Sequence, residues 1–176
     1  MPIDKRIASA AAALADVADG AVVLIGDFGG AGFPNSLIRA LRLRASKDLT
    51  PVVNSATHRY SLTHELIEAR LVRKVIASAA RGHEPGFSAF ERIWNEGRIK
   101  LECVPQGTFA ERIRAGGAGI PAFFTPAGFG TTFAAGKETR RFEGREWMLE
   151  TGRFMAMQTP EPVAEAFGAL LAAHGF

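Results

Sequence analysis

Short apolar runs alternate with amphipathic stretches through the first hundred residues, regularly enough to predict elements. Asp4 is placed to cap a helix running to about residue 17, and residues 21–25 form an apolar run of strand length. Pro34 stands where a helix tolerates proline, in its first turn, and the pattern carries that helix to about residue 44. A strand over 49–54, a helix capped by Ser61, a strand over 72–78, a helix over 88–95 and a strand over 99–104 follow. Strands that alternate with helices predict an α/β fold, a mostly parallel sheet covered by helices on both faces.

Beyond residue 105 the pattern changes. Thr108 and Glu111 have the spacing of a capping box for a helix over 109–115, and Gly116-Gly117 can end it in left-handed conformations. ETRRFEGREWMLE reads as two short strands around Glu143-Gly144. After Pro160, Val163, Phe167, Leu170 and Leu171 share one helical stripe, predicting a short C-terminal helix behind the hairpin. No repeat or linker interrupts the chain, so residues 1–176 are expected to form one domain, with 151–176 as its tail.

Composition narrows the function. The net charge is +3, but the arginines are scattered along helical patterns, without the basic and aromatic stripe of a nucleic-acid surface. No run reaches the ~18 apolar residues of a membrane span, so no membrane role is expected. Cys103 is the only cysteine, which excludes an intrachain disulfide, fits a reducing cytoplasm and suggests a buried core thiol within the apolar run. His58, His64, His83 and His174 are widely spaced, so no metal site is expected.

Ligands of parallel α/β sheets collect at the carboxyl ends of strands. The first strand leads into Gly26-Asp27-Phe28-Gly29-Gly30-Ala31-Gly32, which matches neither the dinucleotide nor the phosphate-loop spacing. On glycine content alone it is equally a ligand loop or a tight strand-to-helix connection. Gln106, just past the last parallel strand, is a side-chain amide that can donate to a developing oxyanion without titrating. No nucleophile accompanies these groups.

DGAVVLIGDFGGAGFPNSLIRAL, then LECVPQGTFAERIRAGGAGIPAFFTPAGFGT, with GKETRRFEGREWMLE behind it, resembles the A (alpha) subunit of the 3-oxoacid CoA-transferases, a family including acetate/acetoacetate, succinyl-CoA:3-oxoacid and 3-oxoadipate CoA-transferases. The resemblance covers residues from near 5 to near 150. It implies exchange of CoA between an acyl-CoA and a 3-oxo or short-chain carboxylic acid through a glutamyl-CoA thioester. That glutamate belongs to a Ser-Glu-Asn-Gly pattern on a B subunit, and this chain lacks the tetrapeptide. The implied partner is therefore a B subunit, with coenzyme A as substrate and no permanently bound cofactor. By the same resemblance, Gln106 reaches the reacting acyl group, Gly29 to Gly32 line the active site, and Gly116 to Pro121 form a mobile segment beside it. The substrate- and CoA-binding set so implied is Gly26, Phe28, Gly29, Gly30, Gly32, Asn54, Gly107, Gly116, Gly117 and Gly119.

The chain departs from the family pattern in three places. It has Gly26-Asp27-Phe28 where a second glycine is usual, Asn54-Ser55 where paired asparagines are usual, and an unfamiliar stretch over 151–176. These motivate an alternative, a noncatalytic effector-binding or regulatory module of the same fold. A third reading, a sugar-phosphate isomerase or sensor of related architecture, would need its own acid and base in one cleft, and no such pair stands out.

Overall fold

The computed structural model describes residues 6–26, 31–57, 60–82 and 85–152. They fall into two compact units, one ending at Gln106 and one beginning at Gly107.

The first unit is a parallel sheet of β1 (Val22–Leu24), β2 (Thr50–Ser55), β3 (Lys74–Ala79) and β4 (Lys100–Cys103), in the order β1-β2-β3-β4. Helices α2 (Asn35–Arg44), α3 (Thr63–Glu68) and α4 (Ala89–Asn95) connect successive strands, and the short α1 (Ala10–Ala13) precedes β1. Alternation along the strands sends Val53, Val75 and Ala77 into one cluster with Ile38 and Leu41 of α2, Leu66 and Ile67 of α3, and Phe90 and Ile93 of α4. Removed almost wholly from water, the larger of these side chains contribute about 1.5–3 kcal/mol each, and so hold the strand ends in place.

Pro51 leaves a mark on the sheet. It lacks the N–H that an inner strand offers its neighbour, and β2 lies between β1 and β3. Next to it the pairing changes: Leu49 bridges Val72, Val52 pairs with Ile76, and β3 has gained one residue between the two contacts. That inserted residue absorbs the missing ladder bond much as a bulge does.

The second unit carries α5 (Gln106–Gly117, its first residue belonging to the first unit) and an antiparallel sheet ordered β5-β7-β6, from β5 (Ala122–Thr125), β6 (Thr139–Phe142) and β7 (Arg145–Thr151). β6 and β7 are the predicted hairpin. Glu143 and Gly144 turn it with φ of 49° and 78°, the paired positive values of a type I′ turn. β5 is a strand that the glycine- and proline-rich text around it concealed.

The α/β class, the parallel sheet flanked by helices and the hairpin thus agree with the sequence reading, while several local expectations do not. α1 is short and is capped by Ser9, whose side chain accepts from the Ala12 N–H; Asp4 and the stripe after Pro160 lie outside the described residues. Helix α5 begins at Gln106, so Thr108 sits inside its first turn, its Oγ1 buried with no hydrogen-bond partner among the described residues, and Glu111 pairs with Arg114 at 2.6 Å. No Thr108–Glu111 capping box forms, because the helix starts two residues before Thr108. Nor do Gly116 and Gly117 turn left-handed: both remain helical, and the stop is Gly119 at φ 71°. There Ile120 N–H bonds Ala115 O at 2.8 Å and Gly119 N–H bonds Gly116 O at 3.0 Å, the paired closure of a Schellman motif. Cys103 is exposed rather than buried, since it ends β4 where the strand leaves the sheet and Val104 takes the core position instead.

Candidate functional site

The parallel order places the carboxyl ends of β1 to β4 along a single edge of the first unit. Gly26 lies just past β1, Asn54 sits one residue before the end of β2, and Gln106 follows β4 by way of Val104 and Pro105. In the order β1-β2-β3-β4, Asn54 stands near the end of β2 and Gln106 follows β4, two strands away along the same edge. Gln106 is exposed at the first position of α5, while Asn54 is half-buried.

Hydrogen bonds at this edge tie the loops together. The Asn35 side chain at the start of α2 donates from Nδ2 to Tyr60 O at 3.1 Å and accepts at Oδ1 from Leu62 N–H at 3.1 Å. One side chain therefore joins the beginning of α2 to the turn that precedes α3. Ser55 and Thr57 hydroxyls lie 3.3 Å apart, and Thr57 Oγ1 donates to Arg81 O at 3.0 Å, linking the ends of β2 and β3. Ser78 Oγ donates to Asn54 O at 2.8 Å and to Asn54 Oδ1 at 3.2 Å.

After β3 the connection to α4 is held by Glu91. Its carboxylate, buried within the fold, accepts from Ser88 N–H at 2.9 Å and from Gly82 N–H at 3.4 Å, while Ser88 Oγ accepts from Glu91 N–H at 3.2 Å. This reciprocal pair is a capping box at the sequence Ser88-Ala89-Phe90-Glu91. The Ser88 N–H, then the Ser88 hydroxyl, hold the Glu91 carboxyl below the usual glutamate range, against the opposing effect of burial.

The sequence-predicted residues thus separate into three groups. Gly26, Asn54 and Gln106 share one sheet edge, and Gly32 follows the first loop at φ 77°. Phe28, Gly29 and Gly30 lie outside the described residues. Gly107, Gly116, Gly117 and Gly119 belong to the second unit, Gly107 at the start of α5 and the others at or just beyond its end. Sequence reading missed Asn35 and Ser78. Only the strand register, which sets Ser78 beside Asn54, singles out that serine.

What the edge offers is a pair of neutral side-chain amides, one on β2 and one just past β4. Such groups bind and polarise a carbonyl or carboxylate. Among the described residues no group of three His, Cys, Asp or Glu side chains is placed to hold a metal ion. No helix among them is long and apolar enough to cross a membrane.

Comparison with known proteins gives a concordant picture. Residues 7–159 match the family model described as Coenzyme A transferase. The chain is 48% identical over 148 residues to the A subunit of the succinyl-CoA:3-ketoacid coenzyme A transferase of Xanthomonas campestris pv. campestris (strain B100), an overlap of 84% of this chain and 60% of that protein. It is 43% identical over 148 residues to the A subunit of the 3-oxoadipate CoA-transferase of Pseudomonas putida, covering 84% of this chain and 63% of the relative. The chain therefore spans somewhat over half the length of these relatives. Among solved structures, the glutaconate coenzyme A-transferase of Acidaminococcus fermentans superposes with a TM-score of 0.66 at 15% identity, over 81% of this chain and 52% of the other. At that identity the likeness is one of fold.

Proposed function

This chain belongs to the coenzyme A transferase family, and from that premise we propose that it is the A subunit of an enzyme moving CoA between an acyl-CoA and a 3-oxo or short-chain carboxylic acid. The observation that carries the reading is that Asn54 and Gln106 follow strands whose carboxyl ends share one sheet edge, in a chain so similar to two named A subunits.

The chemistry divides between two chains. Attack on the thioester carbonyl comes from a glutamate of the partner B subunit, and CoA leaves as its thiolate. The acyl–glutamyl anhydride is then attacked by that thiolate at the glutamyl carbonyl, releasing the first acid and leaving CoA on the glutamate; the acceptor acid reverses the sequence. At each attack negative charge develops on a carbonyl oxygen. In this reading Gln106 and Asn54 donate to such an oxygen, or to the carboxylate of the bound acid, and neither has to change protonation state. The main-chain N–H of Gly26 adds a donor where a side chain would stand close to the ligand. The family resemblance assigns Phe28, Gly29, Gly30 and Gly32, and likewise Gly107, Gly116, Gly117 and Gly119, to substrate or CoA binding.

Coenzyme A acts here as substrate, with no resident cofactor required, and in a reducing cytoplasm an acyl-CoA is the donor and a free carboxylic acid the acceptor. The test is reconstitution: this chain co-expressed with a B subunit carrying Ser-Glu-Asn-Gly should exchange CoA between succinyl-CoA and a 3-oxoacid with saturable kinetics. Neither chain alone should do so. Exchange by this chain alone, or none by the reconstituted pair with any short acid, would overturn the proposal.

A further inference from the structure

The parallel register pairs Val53 with Ala77 and Ser55 with Ala79, which sets Asn54 directly beside Ser78. Val53, Val75 and Ala77 point into the cluster shared with the helices, so Asn54 and Ser78 project from the opposite face. On that face they follow Val52 and Ile76, both buried. The pair is thus a polar step at the carboxyl end of β2 and β3, beyond Val52 and Ile76.

We propose that Ser78 is a positioning residue that orients the Asn54 amide toward substrate. Its hydroxyl has one hydrogen, shared between two acceptors of the same residue: Asn54 O at 2.8 Å and Asn54 Oδ1 at 3.2 Å. The first contact anchors the hydroxyl to the end of β2. The second holds the amide oxygen toward β3, which turns the NH2 group away from Ser78. Among the described residues no hydrogen bond engages Asn54 Nδ2, so two N–H donors are held at the sheet edge with their direction already set. An amide fixed in this way loses less rotamer freedom when it binds a carbonyl or carboxylate oxygen than one free to turn. The Ser78 side chain is small and adds little packing, so orientation is the larger part of what its hydroxyl does. This inference rests on the transferase reading for its ligand; the hydrogen bond itself does not.

Two measurements separate the inference from that reading. In the uniformly labelled full chain, the side-chain amide of Asn54, assigned by its loss in Asn54→Ala, should be as ordered as the backbone by heteronuclear relaxation. It should become mobile in Ser78→Ala and ordered again in Ser78→Thr. Equal order in wild type and Ser78→Ala overturns the proposal whether or not the chain is a transferase. In the reconstituted pair, Ser78→Ala should lower kcat/KM about tenfold with an unchanged unfolding midpoint, and Ser78→Thr should recover most of it. In the background of Asn54→Ala, Ser78→Ala should cost nothing more, since the two act as a unit; losses that multiply would show that Ser78 does not work through Asn54. Absence of turnover from the wild-type pair would sink the transferase reading and leave the amide measurement to decide the role of Ser78.

Discussion

Removing either member of the Arg112–Glu150 pair should destabilise the protein strongly, and removing both should not. Glu150 on β7 is 2% exposed, and both of its oxygens are engaged: Oε2 by Arg112 Nε at 2.9 Å and Nη2 at 2.5 Å, Oε1 by Lys137 Nζ. Arg112 on α5 is also buried, while Lys137 retains a partly exposed side chain. Breaking a buried ion pair by deleting one partner costs about 3–5 kcal/mol, because the remaining charge is stranded away from water. Arg112→Met should fall at the low end, about 3 kcal/mol, since Lys137 still neutralises the carboxylate. Glu150→Leu leaves the Arg112 guanidinium with its principal acceptor gone and should cost about 4 kcal/mol. In the double variant no uncompensated charge is left inside, as Lys137 can extend its ammonium into water, and stability should return to within about 1 kcal/mol of wild type. The assay is urea unfolding at neutral pH followed by Trp147 emission, in a Trp94→Phe background so that the signal reports on β7. Single variants that each cost less than about 1 kcal/mol, or costs that simply add in the double variant, would refute the reasoning.

Three further outcomes are expected. Gln106→Ala should slow turnover of the reconstituted pair by about a hundredfold while leaving assembly of the pair intact, as loss of an oxyanion donor does; unaltered turnover removes Gln106 from the site. Glu91→Gln should cost about 1 kcal/mol at pH 7 by weakening its capping box. Because the folded Glu91 carboxyl titrates below its unfolded value, that contribution is complete above the unfolded value and lost as pH falls through the folded one, so the difference between variant and wild-type stabilities should shrink in acid; a difference that does not shrink as pH falls contradicts the assignment. Gly152→Ala should lower the thermal midpoint sharply, at a cost of about 3 kcal/mol, since a Cβ there would lie 2.3 Å from Ile120 O and 3.2 Å from Gly116 N; an unchanged midpoint would mean that the backbone yields without penalty.

The parallel sheet was legible because its strands are compact apolar runs separated by helices of ordinary length, so hydrophobic period alone found β1 to β4. Helix ends were less legible. Thr108 and Glu111 satisfy the same sequence rule as Ser88 and Glu91, yet only the second pair closes, since a cap depends on where the backbone enters the helix. Similarly, the glycines at 116, 117 and 119 are equivalent in text, and the closing bonds from Gly119 and Ile120 select the one that turns. β5 was hidden because Ala122–Thr125 owes its extended form to pairing with β7, a partner more than twenty residues on. At the candidate site, Gln106 and Asn54 could be named from resemblance and from their place beyond strands. Ser78 could not, for its neighbour is fixed by register rather than by distance along the chain.

The central claim is that this polypeptide supplies neutral donors while covalent bond exchange takes place on its partner. Mixing the reconstituted pair with acyl-CoA in the absence of acceptor, reducing with borohydride and analysing both chains by intact and peptide mass spectrometry tests it most directly. The account predicts a reduced glutamyl residue within the Ser-Glu-Asn-Gly segment of the B subunit, with this chain retaining its unmodified mass. A reduced glutamate on this chain, at Glu96, Glu143 or any other position, would contradict it.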